Sequence, residues 1–164
     1  MNYQVILIEL IVMIILFTII TFGTLLINPL SFISDYPPEI QAQYYKSQNK
    51  QETKEKLTVL MKIKKIVAII VFIFILAYEL KLAGCKSFID GFLLSLFYIF
   101  IIFAWDTFVL DWLLFPNIKR VRLKGTENMD KEYHQKWFHV KVCIPVIPVF
   151  IVMALISSLI MLII

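Results

Sequence analysis

Four long apolar runs divide this chain, and two basic stretches separate them. The runs cover residues 5–27, 63–82, 88–115 and 142–164. A helix needs about 20 apolar residues to cross a hydrocarbon core about 30 Å thick, and each run meets that length. Because lipid offers the backbone no hydrogen-bond partner, each run is expected to be a helix. The pattern predicts an all-α protein, a bundle of four transmembrane helices.

The composition agrees with a membrane protein and argues against a soluble domain. Hydrophobic residues make up 60% of the chain, charged residues 17%, and the mean hydropathy is +0.85. Soluble domains of this size contain more charge. The net charge is +4, but the lysines are spread out and no aromatic stacking platform accompanies them. We therefore expect no nucleic-acid partner.

The basic residues predict the orientation. Fourteen of the sixteen fall in residues 28–65 and 116–141, whereas the second loop holds only Lys81 and Lys86. Basic loops stay in the cytoplasm, and with four spans the first and third loops share a side. The loops 28–62 and 116–141 are therefore placed in the cytoplasm and both termini outside. Residues 1–164 are expected to form one multi-pass domain of the cytoplasmic (inner) membrane.

The first apolar run is predicted to be a retained helix. No Lys or Arg precedes it, and it is longer than the apolar region of a signal peptide. The two cysteines, Cys85 and Cys143, are predicted to lie on opposite sides of the membrane, which excludes a disulfide between them.

Short amphipathic helices are predicted in the two cytoplasmic loops. In the first loop, Asp35 can cap a helix that starts at Pro37 and Pro38, with Ile40 and Tyr44 on the membrane surface. In the third loop, a stripe recurs every four residues and is predicted to lie in the headgroup layer. The stripe consists of Met129, Tyr133 and Trp137.

The cytoplasmic end of the third span carries two acids, Asp106 and Asp111. Ionisable residues are costly inside a membrane and mark functional sites by default. At α-helical geometry a spacing of five residues corresponds to about 140° of rotation, so the two carboxyl groups are not expected to share a face. A structural alternative is that Asp106 forms an ion pair with Lys141 or Arg120.

Further polar side chains are predicted on the same membrane side and could complete a shallow pocket. The candidate binding residues are Asp35, Glu39, Asp106, Asp111, Glu127, His134 and His139. Of these, Asp106, His134 and His139 are the candidate ligands if a metal is bound. The spacing of the two histidines is not the i,i+4 pairing of a two-histidine metal face, so an interfacial helix with incidental histidines is the alternative. No cofactor and no catalytic residue is assigned.

The opposite side has its own polar set, in which acids and bases occur in similar number. Mutual ion pairing is the simplest expectation for this set. Its members are Glu9, Glu79, Lys81, Lys86 and Asp90.

The second half of the chain resembles small uncharacterised bacterial four-helix membrane proteins. The resemblance rests on Asp106 and the DWLLF sequence from Asp111, the GTE sequence from Gly125, and the WFH sequence from Trp137. It covers about a third of the chain. It implies that these residues belong together, and it implies no activity.

Three classes of function are compatible with these features. The first is a small transporter or channel subunit, or a ligand-binding membrane protein, with a cytoplasm-facing polar pocket. The second is a membrane-embedded enzyme that uses an acid and histidine cluster, and the third is an accessory subunit of a larger complex. Besides the lipid bilayer, the expected partner is a second copy of the chain or another membrane protein, because four short helices rarely enclose a pathway alone.

Overall fold

All described secondary structure is helical, as predicted. The computed structural model describes residues 1–49 and 59–164, except for the side chains of residues 59–62, 64 and 65. Residues 50–58 of the first predicted loop, with Lys50, Lys54 and Lys56, lie outside the described residues. The α-helices are α1 (Tyr3–Ile27), α2 (Pro38–Ser47), α3 (Val59–Leu82), α4 (Phe88–Trp105), α5 (Phe115–Asn117), α6 (Asp130–Tyr133), α7 (Lys136–Cys143) and α8 (Ile147–Ile163). A π-helix (Asp106–Leu114) joins α4 to α5, and three 3-10 segments complete the list: Pro29–Asp35, Lys119–Val121 and Ile144–Val146.

Within the described residues, three helical stretches are long enough and apolar enough to cross a membrane. They are Tyr3–Ile27 with 25 residues, Phe88–Asn117 with 30 and Asp130–Ile163 with 34. The remaining predicted span falls in α3, a helix of 24 residues. Many large apolar side chains on these helices are exposed, including Ile19, Phe74 and Phe100. Apolar surface of this extent is unfavourable in water, and it indicates a membrane protein.

The chain divides into two compact units. Unit 1 contains the described residues 1–13, 59–102 and 145–164. In this unit α3 packs against α8, and Gly91 of α4 lies so close to α8 that an added Cβ would be 2.7 Å from Met161 Cε. The buried Ser157 and Ser158 donate hydrogen bonds to carbonyl groups of their own helix. The serines therefore lie in the packed interior without needing polar partners from other helices.

Unit 2 contains the described residues 14–49 and 103–144. Its hydrophobic core joins the end of α1, the 28–47 segment, the π-helix and the 118–133 segment. The buried core residues are Phe22, Leu25, Ile33, Tyr36, Ile40, Leu110, Phe115, Val121, Leu123 and Tyr133. The predicted cytoplasmic loops thus contain a packed core of their own.

The predicted surface helices are the main correction to the sequence analysis. Ile40, expected on the membrane surface, is fully buried, and Tyr133 of the predicted headgroup stripe is only 1% exposed. Trp137 is exposed as expected. The third-loop helix is also interrupted, because α6 ends at Tyr133 and α7 begins at Lys136. The first and third predicted loops pack against each other in the core of unit 2. This packing buries side chains that the sequence pattern assigned to the headgroup layer.

A short break in the α-helical winding precedes α8. A 3-10 turn, Ile144–Val146, separates α7 from α8. Pro145 and Pro148 lack the backbone N–H that would continue an α-helical ladder, which accounts for the break.

The orientation is testable with single cysteines at exposed sites. Cys85 itself is buried, and burial beside Asp90 raises the pKa of its thiol, so it is a poor reporter. In a Cys85→Ala/Cys143→Ala background, we expect Lys86→Cys to react with a membrane-impermeant maleimide in intact cells. The exposed Lys124→Cys should react only after permeabilisation. The reverse pattern would overturn the orientation.

A second prediction concerns Gly125, whose φ of +83° favours glycine and whose added Cβ would lie 2.5 Å from Ser47 Cβ. We expect Gly125→Ala to lower the free energy of unfolding by more than about 1 kcal/mol, because both strain and overlap act against it. Thermal unfolding in detergent measures the effect. Gly23→Ala is the matched control, since nothing lies within 4 Å of its added Cβ. Equal stabilities of the two variants would contradict the prediction.

Candidate functional site

The π-helix at the end of α4 brings two acids to nearly the same face. It covers Asp106–Leu114. In a π-helix each hydrogen bond links residues five apart, so side chains at that spacing are separated by a smaller rotation than in an α-helix. Asp106 and Asp111 have this spacing, and their carboxyl groups lie within electrostatic range of each other. The α-helical geometry on which the opposite prediction was based therefore does not apply to this stretch.

Asp35 is the third acid of this group. It ends the 3-10 segment after α1, and its carboxylate accepts a hydrogen bond from Ser34 Oγ at 3.1 Å. It interacts electrostatically with both Asp106 and Asp111. The buried Tyr36 fixes its position, because the next residue of the chain is anchored in the core of unit 2.

His139 completes the group. Its Nδ1 lies 3.4 Å from Asp111 Oδ2. The imidazole is buried against the ring of Phe115, with ring centres 5.4 Å apart. Its Nε2 is also buried and has no hydrogen-bond partner among the described residues. We call Asp35, Asp106, Asp111 and His139 the Asp–His cluster.

Two tryptophan contacts position the helices that carry the cluster. Trp112 Nε1 donates a hydrogen bond to the Lys136 carbonyl group at 2.9 Å, which docks the start of α7 on the π-helix. Trp105 Nε1 donates to Thr18 Oγ1 at 2.9 Å and ties the end of α4 to α1. These two hydrogen bonds therefore fix the π-helix, which carries Asp111, to α7, which carries His139, and the end of α4 to α1.

Three of the predicted site residues have partners elsewhere. Glu127 is exposed and accepts a hydrogen bond from the Gly125 N–H, which lowers the pKa of its carboxyl group. His134 follows the end of α6, and its Nδ1 lies 2.6 Å from the carbonyl oxygen of Asp130 at the start of that helix. Glu39 accepts a hydrogen bond from Gln135 Nε2 at 3.3 Å. No contact of these three with the cluster is among the described interactions.

No basic side chain neutralises the cluster within the described part of the chain. The ion pairs there are Arg122–Asp130 and Asp111–His139. Arg120, a predicted structural partner of Asp106, donates instead to the Leu26 carbonyl group. The cluster thus consists of three acids within electrostatic range of one another and one imidazole that contacts Asp111.

The described residues form no group of three histidine, cysteine or acidic side chains placed to hold a metal ion. The candidate ligands Asp106, His134 and His139 therefore form no such group. His134 Nδ1 instead contacts the Asp130 carbonyl group.

Tyr36 and Tyr133 form buried hydrogen bonds in unit 2 that the sequence pattern did not predict. Tyr36 Oη donates a hydrogen bond to the Val121 carbonyl group at 2.6 Å, and its burial, together with Tyr133 nearby, raises the pKa of its hydroxyl group. Tyr133 Oη accepts from the Leu123 N–H at 2.9 Å and lies 2.8 Å from Thr126 Oγ1. The sequence signal for the position of Tyr36 is the rigid YPP motif, in which two prolines follow the tyrosine.

Unit 1 holds a separate acidic pair. Tyr98 Oη donates to Glu9 Oε2 at 2.6 Å, and Glu9 lies within electrostatic range of Glu79. Asp90 accepts from Ser87 Oγ at 2.7 Å. None of these acids forms an ion pair with Lys81 or Lys86 among the interactions described, so the ion pairing expected for this polar set is not found there.

No protein-family model matches the chain, and neither a curated protein nor a solved structure matches it.

The anchoring role of Tyr36 gives a stability prediction. We expect Tyr36→Phe to lower the free energy of unfolding by about 1–3 kcal/mol, because it leaves the Val121 carbonyl group buried without its donor. Tyr3→Phe is the control, since Tyr3 is 79% exposed. Unfolding in a denaturing detergent titration measures both. A Tyr36→Phe protein as stable as the control would contradict the role.

Proposed function

We propose that this protein is a subunit of a small proton-conducting or proton-coupled transporter, in which the Asp–His cluster binds protons at the cytoplasmic face. In this proposal the chain crosses the membrane four times as a helix bundle with both termini outside, and it works as a homo-oligomer or beside another membrane protein. The observation that carries the proposal is the Asp–His cluster itself, with three carboxyl groups, one imidazole and no basic partner among the described ion pairs.

Carboxyl and imidazole groups are the side chains that relay protons in membrane pumps and transporters. Asp111 and His139 lie within 3.4 Å of each other, close enough for a proton to pass after a small movement. Asp106 and Asp35 lie within electrostatic range of Asp111, so the protonation of one acid affects the others. A group of this kind takes up and releases protons as a unit.

A structural role alone does not account for the cluster. Three carboxyl groups within electrostatic range of one another cost free energy unless protons or cations are bound. A purely structural acid in a membrane protein is normally neutralised by a lysine or arginine, and Arg120 and Arg122 bind other groups here. This supports a function in which the charge of the cluster changes.

A membrane-embedded enzyme is the second candidate, and the contact between His139 and Asp111 favours it. A carboxylate on Nδ1 orients an imidazole so that Nε2 can act as a general base. His139 Nε2 has no hydrogen-bond partner among the described residues. Glu127 and His134, the other candidate residues of this membrane side, have other contacts.

Proton flux into proteoliposomes tests the proposal. With a pH-sensitive dye inside the vesicles, we expect the purified protein to collapse an imposed pH gradient. Asp106→Asn and Asp111→Asn should each slow the flux at least about tenfold, because the relay loses an exchangeable proton. Glu127→Gln and His134→Gln are the matched controls and should retain the flux.

Two results would count against the transporter. One is a wild-type protein that gives no flux above empty vesicles, and the other is an undiminished flux in Asp106→Asn. The acids of unit 1 separate the two candidates, because a proton pathway must cross both leaflets. Glu9→Gln or Glu79→Gln should therefore lower the flux, whereas an enzyme at the cytoplasmic face would tolerate both.

A further inference from the structure

Unit 1 contains an apolar groove between α1 and α3. Its volume is about 580 Å³, within the range of about 300–1,000 Å³ that is typical of small-molecule pockets. Apolar side chains that are largely exposed line it, among them Ile8, Val12 and Phe74. Two acids, Glu9 and Glu79, belong to the same lining.

Glu9 is built into this groove rather than left on its surface. The residue is only 8% exposed. Its Oε2 accepts the hydrogen bond from Tyr98, whereas its Oε1 is buried without a partner among the described residues. Glu79 Oε2 is likewise buried and unpartnered there. The groove therefore has two carboxyl oxygens with unused acceptor capacity.

A positively charged group would be the electrostatic complement of these two oxygens. Neither glutamate takes part in the ion pairs of the described residues. A buried acceptor without a partner costs about 1–3 kcal/mol, and a buried carboxylate costs more. A neutral apolar ligand would cover the groove without lowering the free-energy cost of the unpartnered oxygens. A cation would lower that cost by pairing with them.

We propose that the groove binds a lipophilic cation, an apolar molecule with an ammonium, phosphonium or similar group. The apolar body lies on Ile8, Val12 and Phe74, and the positive group lies against Glu9 and Glu79. Tyr98 holds one oxygen of Glu9, which leaves the other available to accept from a ligand. The groove belongs to unit 1 and the Asp–His cluster to unit 2. Glu9 and Glu79 are also expected to lie on the proposed proton pathway, so cation binding is measured in the absence of proton flux.

Equilibrium binding of radiolabelled tetraphenylphosphonium tests the site. The protein is placed in nanodiscs of zwitterionic lipid, and empty nanodiscs give the background. We expect saturable binding that triphenylphosphine oxide, a neutral compound of similar bulk, does not displace. Glu9→Gln/Glu79→Gln should weaken binding at least about tenfold, because a neutral amide does not pair with the cation. Glu127→Gln, an exposed change in unit 2, should leave it unchanged.

Unchanged binding in the double variant, or equal binding of the neutral compound, would overturn the proposal. So would a groove covered by a second copy of the chain, which would exclude the cation and allow a disulfide between copies at Val71→Cys.

A labelling experiment needs no variant that could misfold. We expect tetraphenylphosphonium to slow the reaction of dicyclohexylcarbodiimide with Glu9 or Glu79 of the wild-type protein, measured by peptide mass spectrometry. Unprotected glutamates would refute the site whether or not the protein conducts protons.

Discussion

Unit 2 depends on the burial of one tyrosine. Tyr36 is 1% exposed, donates its hydroxyl hydrogen to the Val121 carbonyl group and packs its ring edgewise against Phe115 and Tyr133. Through these contacts the segment after α1 and the segment after α5 are fixed to the end of the π-helix. A buried hydroxyl is costly unless it is bonded, so the position of the Val121 carbonyl group is constrained as well. Asp35 owes its place beside Asp106 and Asp111 to this anchor.

The fold was predictable where length and hydropathy decide the structure. The boundaries of α1 and of the helical stretch from Phe88 follow from runs of apolar residues, which have to satisfy their backbone groups internally. Ile40 and Tyr133 were assigned to the wrong environment for a related reason. An apolar or aromatic stripe suits a headgroup layer and a protein core equally well, and only tertiary packing decides between them.

The sequence predicted which residues form the candidate site better than it predicted how they are arranged. Asp106, Asp111, His139 and Asp35 do come together, whereas Glu127, His134 and Glu39 have local partners. Local hydrogen bonds such as that of His134 to the Asp130 carbonyl group cannot be read from spacing alone. The same holds for the π-helix, because α-helical rotation was the only geometry that the sequence justified.

The π-helix also links the length of the chain to the orientation of its side chains. One residue fewer between Trp105 and Phe115 would let this stretch return to α-helical winding. The helix would keep its composition, its hydropathy and both aspartates, yet the rotational phase between Asp106 and Asp111 would change and His139 would face a different side chain. A single-residue deletion here is thus a larger perturbation than most substitutions, because it alters which groups meet without removing any of them.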